Sequence, residues 1–585
     1  MRGLRGGRLP DPRDGAAQRH VLLSRLRPAG LAVVVLAVLI GLATGSPGAP
    51  AEGGRAAAST TRPTPGGTSA TPTPTASSTG STGGSSDTGA GVEFPSSVVL
   101  EAPTSTVPAE LARFYGAKIA WAPCPGSKRD RCGSVRVPVD YAHPDGATVR
   151  IALRKVPATK PSMRKGTLFI NPGGPGASGI EFARHASSFF STRVRDVWDV
   201  VGFDPRGIGE SGGFPCLRTK DLDAMYAADP TPDTAAERAA LLKGRTDRVE
   251  GCLRRGGELA RNMGTENVAR DLDILRDAVG DTHLNYVGIS YGTLLGALYG
   301  KRFPDRIGLM VIDSAVNPDV FAAAGATQQQ VDDWASSDAD GVDQTFDEFF
   351  DHCAKSGDCP LGSDRTTAAR RLVSFLDGLD RHPLPSDAMG IPRLTEGWAV
   401  TALGAVLQFP DSYDDMEGAL SSAIDEGDGT GLVWMAMNTV DRADDGTYGG
   451  YEVSHLAVRC ADWPYDPTED MQPSRSVLDK HPLYAHLAGS WADSCKGWKG
   501  TVRSDLVVLV DAKTPVLVIG NLDDPTTPIF GTRRMARAIQ NSALVTVDAQ
   551  GHGAYSAGNH CIDRVVDDYL VDDLVPAPST ICAKE

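Results

Sequence analysis

The sequence predicts an α/β fold: a mostly parallel sheet with helices on both faces, interrupted by an inserted, mainly helical domain. Three observations predict it. Short apolar runs alternate with helical spacing up to about residue 315 and again after about residue 505, the signature of strands joined by crossover helices. Between them, residues 316–505 lose that alternation, are rich in Ala and Asp, and hold six of the eight tryptophans: Trp334, Trp398, Trp434, Trp463, Trp491 and Trp498. The run from Leu284 to Tyr299, LNYVGISYGTLLGALY, reads as a strand, a tight corner and a helix.

Taken in order, the chain begins with seven arginines between Arg2 and Arg27 and a 13-residue apolar run, Leu31 to Ala43. The run is short for a membrane span, which needs about 20 residues, so residues 1–43 are expected to be a signal peptide, cleaved near Ala49-Pro50-Ala51. Residues 44–92 are Gly, Ser, Thr, Pro and Ala with almost no apolar side chains, and are expected to be a disordered tether. The whole chain of 585 residues carries a net charge of −15. Eight arginines against three acids give residues 1–58 a charge of +5, leaving −20 on the rest. Such an acidic body argues against nucleic acid or an anionic membrane as a partner.

Folding is expected from about Phe94, with a short helix over Ala109–Tyr115. Strands over Val135–Tyr141 and Ala147–Val156 flank a His143-Pro144-Asp145-Gly146 turn and form a hairpin. Gly166–Ile170 is a buried strand running into Asn171-Pro172-Gly173-Gly174-Pro175-Gly176-Ala177-Ser178-Gly179. A phosphate-binding loop would need Gly-Lys-Ser/Thr, which is absent. The bare backbone suits an oxyanion loop, whose amide faces developing negative charge. Val197–Phe203 is the next strand, followed by Asp204 and Arg206 in turn-forming and salt-bridging positions. Residues 216–252 form a charged helical excursion between two cysteines. Thr265 is expected to cap a helix reaching Val279, and Ile307–Ile312 is the strand ending at Asp313. After the insertion come a strand over Thr514–Gly520, a helix over Gly531–Ile539 and a strand over Ala543–Val547.

Gly288-Ile289-Ser290-Tyr291-Gly292 fits G-x-S-x-G, in which serine occupies a strained strand-to-helix turn and bulk at the flanking positions would clash. A second match at Ser211 leads into Phe214-Pro215, where no helix can start. Asp524 follows one strand, held extended before Pro525 and preferred to Asp523. His552, between Gly551 and Gly553, follows the last strand and is preferred to His560. Ser290, Asp524 and His552 therefore fall at the C-terminal ends of three strands, where open α/β sheets place ligands. Their chain order is that of the α/β-hydrolase fold. Serine alone is a poor nucleophile; histidine can take its proton, and the acid can fix the histidine tautomer.

Ten cysteines, all beyond residue 100, suggest disulfides in an exported chain, paired most simply with nearest neighbours in sequence. No C-x-x-C pair is present, and no metal or cofactor is expected.

GFDPRGIGES, GISYGTLLG, TPVLVIGN…DPTTP and GHGAYSAGNHCIDRVVDDYLVDDLVPAPSTIC resemble the secreted tripeptidyl aminopeptidases of actinomycetes, relatives of prolyl aminopeptidase in the α/β-hydrolase superfamily. The similarity spans roughly residues 100–585. The change of pattern along the chain sets the expected core at 93–315 and 506–585 and the helical lid at 316–505; the resemblance implies a secreted serine exopeptidase releasing short peptides, tripeptides foremost, from free N-termini. It also implies a triad of Ser290, Asp524 and His552, with oxyanion donors at the amides of Tyr291 and of a glycine in the Gly173-Gly174 pair, taken as Gly174. Prolyl aminopeptidases usually carry His-Gly-Gly-Pro-Gly in that loop; here Asn171-Pro172 precedes the glycines, as in the tripeptidyl branch. An aminopeptidase must hold a protonated amine, and Asp462, beside Cys460, is a candidate carboxylate. An esterase using the same triad is the alternative, and a non-catalytic binding protein a third. The Asp-rich stretch 332–351 leans to the peptidase, because a lipase lid would present an apolar helix face.

Overall fold

The computed structural model describes residues 92–322, 327–408, 410–462, 473–491, 495–499 and 508–585. The expected signal peptide and most of the expected tether therefore lie outside the described residues.

Ten strands form one sheet: β1 (Ala122–Pro123), β2 (Arg131–Pro138), β3 (Thr148–Val156), β4 (Gly166–Asn171), β5 (Trp198–Phe203), β6 (Leu284–Ile289), β7 (Ile307–Asp313), β8 (Val516–Asp523), β9 (Ser542–Gln550) and β10 (Thr580–Cys582). Their order across the sheet is β10-β9-β8-β7-β6-β4-β5-β3-β2-β1. Every pair from β5 through β4 to β10 is parallel. β3 runs antiparallel to β5 and to β2, with Val135 opposite Ile151 in the expected hairpin. This order, with β3 and the two-residue edge strand β1 reversed, is the α/β-hydrolase sheet. β4, β5, β6 and β7 are buried at every residue, which is why they read as continuous apolar runs rather than alternating ones.

Named helices are α1 (Gly179–Arg184), α2 (Thr219–Tyr226), α3 (Ala235–Arg261), α4 (Thr265–Val279), α5 (Tyr291–Arg302), then α6 (Gln328–Ser356), α7 (Arg365–Arg381), α8 (Glu396–Gln408), α9 (Tyr413–Ser421), α10 (Thr430–Thr439), α11 (Gly450–Asp462) and α12 (Pro482–Trp491), and finally α13 (Ile529–Ala538) and α14 (His560–Asp572). Two apolar clusters cover the sheet faces. One is built on Leu272, Leu275, Leu294 and Leu298 of α4 and α5, the other on Val194, Val565, Val566 and Tyr569. A third cluster belongs to the helical insertion and centres on Phe346, Phe349, Leu372, Trp398, Leu403 and Met437. Tyr226 and Ala227, from the excursion between Cys216 and Cys252, pack against this third cluster, so that excursion braces the lid.

All ten cysteines pair with their nearest sequence neighbours: Cys124–Cys132, Cys216–Cys252, Cys353–Cys359, Cys460–Cys495 and Cys561–Cys582. Two details differ from expectation. α4 is capped by Gly264, and Thr265 is its first helical residue, because the Thr265 hydroxyl is committed to Asp462 of the lid. The short edge strand β10, too brief to show a pattern, pairs with β9 and is tied by Cys582 to α14.

Candidate active site

β6 ends at Ile289 and α5 starts at Tyr291, so Ser290 must turn the chain within one residue. It does so at φ 58, ψ −126, a conformation that costs about 1–3 kcal/mol and persists only where packing enforces it. The flanking glycines make this possible. A Cβ at Gly288 would lie 2.4 Å from the Gly292 carbonyl oxygen, and one at Gly292 would lie 2.6 Å from the Asn171 carbonyl oxygen. The Ser290 amide donates to the Asp313 carbonyl at 3.0 Å, while its Oγ is buried and makes no hydrogen bond among the described residues.

Two strands along, the β8–α13 loop presents Asp524. One oxygen accepts from the amides of Thr526 (2.9 Å) and Thr527 (2.8 Å), the other from Thr527 Oγ1 (2.8 Å). Both oxygens also face His552 Nδ1, at 3.0 and 3.1 Å. The two side chains are 1% and 3% exposed, so their attraction is little screened by water. With Nδ1 donating to the carboxylate, the tautomer leaves Nε2 with its lone pair; Nε2 is buried and, like Ser290 Oγ, has no partner among the described residues. Asp523 is not in this arrangement; its carbonyl accepts from the Gly551 amide. His560 is exposed at the start of α14.

The His552 loop is fastened from two strand ends. Asn521 on β8 donates to the carbonyls of Gly551 (2.8 Å) and Gly553 (3.0 Å), on either side of His552. Ser314 Oγ accepts from the Gly553 amide at 3.0 Å. Asp313 accepts from the amides of Ala554 (2.9 Å) and Tyr555 (3.1 Å). Burial pushes the Asp313 carboxyl up to about 6. Asp313 also accepts from Ser290 through its main chain, so one residue at the end of β7 ties the serine corner to the histidine loop.

The glycine-rich loop after β4 closes against the serine. Gly173 (φ 97) and Gly174 (φ 107) both occupy the left-handed region. A Cβ at Gly173 would lie 2.5 Å from the Ile289 carbonyl oxygen and 3.0 Å from both Ser290 Cβ and the Tyr291 nitrogen. Tyr291 is the first residue of α5, so its amide has no acceptor within the helix. The Gly173-Gly174 turn and the first residue of α5 thus flank Ser290; the Gly173 amide is taken by Asn171 Oδ1 (2.9 Å), which leaves the amides of Gly174 and Tyr291 as the candidates to hold an oxyanion. His455 on α11 reaches down from the lid, its Nδ1 donating to the Pro175 carbonyl at 3.2 Å. A Cβ at Gly176 would lie 3.2 Å from His455 Cα. No sequence motif marks His455 or Asn521.

Asp462 is committed to hydrogen bonds within the protein. It is 2% exposed at the end of α11, accepting from the Thr265 amide (2.7 Å), the Thr265 hydroxyl and Tyr291 OH (3.0 Å). Burial pushes its carboxyl up to about 6. With its oxygens so engaged it does not suit the capture of a substrate amine; it joins the lid to α4 and to the residue after Ser290. The second G-x-S-x-G serine, Ser211, is fully buried, donating to the Asp204 carbonyl (2.6 Å) and accepting from the Ala152 amide (2.8 Å). Arg206 forms a buried fork with Asp271 (2.7 and 2.5 Å) and donates to the carbonyls of Pro138 and Val139. Both are structural.

Sheet order, serine corner and the paired acid and histidine define an α/β-hydrolase with a helical lid. Residues 481–582 match the family described as TAP-like protein. Over 503 residues the chain is 32% identical to the tripeptidyl aminopeptidase of Streptomyces lividans, covering 81% of this chain and 88% of that one. It is 31% identical to the serine protease Hip1 of Mycobacterium tuberculosis, covering 80% and 91%. It is also 31% identical to carboxylesterase B of the same species, covering 77% and 86%. The chain belongs to the tripeptidyl aminopeptidase family of α/β-hydrolases.

Proposed function

We propose that the protein is a secreted serine exopeptidase that releases short peptides, tripeptides foremost, from free N-termini. The observation that carries this reading is the His552–Asp524 pair at the same sheet edge as Ser290, with His552 Nε2 and Ser290 Oγ both buried and without a hydrogen-bond partner among the described residues. In this reading Ser290 Oγ attacks the scissile carbonyl while His552 Nε2 takes its proton. Asp524 stabilises the imidazolium, and the amides of Tyr291 and Gly174 hold the oxyanion. His552 then protonates the leaving amine, and water repeats the sequence in reverse on the acyl-enzyme.

The amine-holding group is assigned to the lid, at Asp338. Trp334, Asp338 and Gly341 share one face of α6 by their spacing of four and three. A Cβ at Gly341 would lie 3.4 Å from Pro525 Cα, which sets this face against the loop carrying Asp524. No ion pair reaches Asp338 among the described residues, and burial pushes its carboxyl well above the usual range. A substrate ammonium would supply the missing counter-charge. Five disulfides and an arginine-rich, apolar N-terminus support export. Among the described residues no helix is long and apolar enough to cross a membrane.

Similarity to a carboxylesterase keeps ester hydrolysis as the second reading. A panel of chromogenic substrates separates the two. Free-amine tripeptide anilides should be turned over faster than their N-acetylated forms and faster than simple acyl esters. The reverse order would overturn the exopeptidase assignment. Asp338→Asn should raise KM for free-amine substrates and leave blocked ones unchanged.

A further inference from the structure

Three carboxylates meet where the lid rests on the excursion after α2. Asp229 lies three residues beyond α2, Asp380 is in the last turn of α7, and Glu396 opens α8. Each offers an oxygen, and these lie within 4.8 Å of one another. Glu396 is 1% exposed. Its Oε1 accepts from Thr231 Oγ1 at 2.9 Å and from His486 Nδ1 at 2.7 Å. Its Oε2 is buried with no hydrogen-bond partner among the described residues. The surrounding charge is more of the same sign: Asp380 also feels Glu237 and Asp233, with Arg381 opposing. His486 faces Glu396 on one side and Asp377, at 3.6 Å, on the other. One imidazole cannot neutralise this group.

The arrangement is also held closely. A Cβ at Gly397 would meet the carbonyl oxygens of Tyr226 and Ala228 at 2.3 Å each, so the loop delivering Asp229 lies flush on the first turn of α8. Calcium binds oxygen at about 2.3–2.6 Å, so ligands on opposite sides of the ion stand about 4.6–5.2 Å apart and neighbouring ones closer. The observed spacing fits that shell. The donors are all hard oxygens, and Asp229 and Asp380 are half-exposed, leaving sides open to water. His486 is then an orienting partner, fixing one oxygen of Glu396 so that the other faces the ion. Cysteine spacing, which speaks against zinc, says nothing about such a site.

We propose that Asp229, Asp380 and Glu396 form a calcium site that fastens the loop after α2 to lid helices α7 and α8. The site lies outside the catalytic machinery, and its function is to fix the lid's footing.

The test uses the full-length protein stripped with EGTA, titrated with calcium alone and with magnesium alone, followed by calorimetry and thermal melting. Expected is one calcium per chain, a melting temperature that rises with calcium in the millimolar range, and a weaker response to magnesium. In Asp380→Asn and Asp229→Asn calcium binding should weaken about tenfold or more. The sign of the stability change is the sharper criterion. In calcium these two variants should melt below wild type. In EGTA they should melt at or above it, because each removes a repelling charge. Glu396→Gln should behave the same way if it folds; the two half-exposed positions carry the test if it does not. Absence of calcium binding at several millimolar would overturn the proposal. So would a calcium response of unchanged size in both variants, or an equal response to magnesium.

Discussion

Replacing Gly173 with alanine tests the oxyanion loop with one methyl group. At φ 97 an alanine is strained by about 1–2 kcal/mol before any contact is considered. Its Cβ would stand 2.5 Å from the Ile289 carbonyl oxygen, while real Cβ atoms essentially never approach closer than 3.0 Å. Backbone must therefore move by at least about half an ångström, and the other side of the contact is the strand end that sets Ser290. The loop is pinned on both flanks, by the Gly173 amide on Asn171 Oδ1 (2.9 Å) and by His455 on the Pro175 carbonyl (3.2 Å). Displacement should thus concentrate at the Gly173-Gly174 peptide and turn its amide away from the developing oxyanion. Loss of one such donor costs about 10²–10³ in kcat. Gly173→Ala is expected to fold, to melt a few degrees lower, and to lose kcat on a tripeptide anilide in that range with KM little changed. A variant with native circular dichroism and kcat within about threefold of wild type would refute the assignment of this loop to transition-state stabilisation.

Other outcomes follow from the same structure. Thr527→Val removes the hydroxyl that fixes one Asp524 oxygen and should lower kcat about tenfold, measured on the same substrate, and lower stability by about 1.5–3 kcal/mol, because a buried hydrogen bond to a carboxylate is lost. Asp313 and Asp462 have folded pKa values of about 6, above the ordinary value near 4 that they regain on unfolding. The native state therefore holds the extra proton between about pH 4 and 6, and each group's contribution to stability falls as pH rises through that window, by up to about 3 kcal/mol. Urea unfolding at pH 4.5 and 6.5 should show a smaller difference in Asp462→Asn than in wild type; an equal difference would contradict the burial argument. Removing the Cys216–Cys252 bridge by double Cys→Ser substitution frees a 36-residue span and should cost about 4 kcal/mol in the chain-entropy account, read as a lowered melting temperature.

Much of the site was legible because its chemistry is written in local signals. Gly288 is demanded by a collision within the corner itself, with the Gly292 carbonyl, and the five-letter pattern could be read there; Gly292 is demanded by the distant Asn171 carbonyl. Parallel strands buried on both faces appear as apolar runs, and their ends deliver Asp524 and His552. The rest depends on contacts between distant segments. Asp462 looked available because it stands beside a disulfide cysteine. Which way it faces is set by α11 packing on the start of α4, 197 residues away in sequence. Asn521 and His455 have no motif, since each acts through a carbonyl on another element. Asp229, Asp380 and Glu396 look like ordinary surface acids until the fold brings them together.

The central claim is that Ser290 is the nucleophile of this hydrolase. A fluorophosphonate probe followed by peptide mapping tests it most directly. The account predicts one adduct per chain, on Ser290, with activity lost in proportion, and no adduct or turnover in a folded Ser290→Ala variant. An adduct on another residue, or turnover retained in that variant, would contradict it.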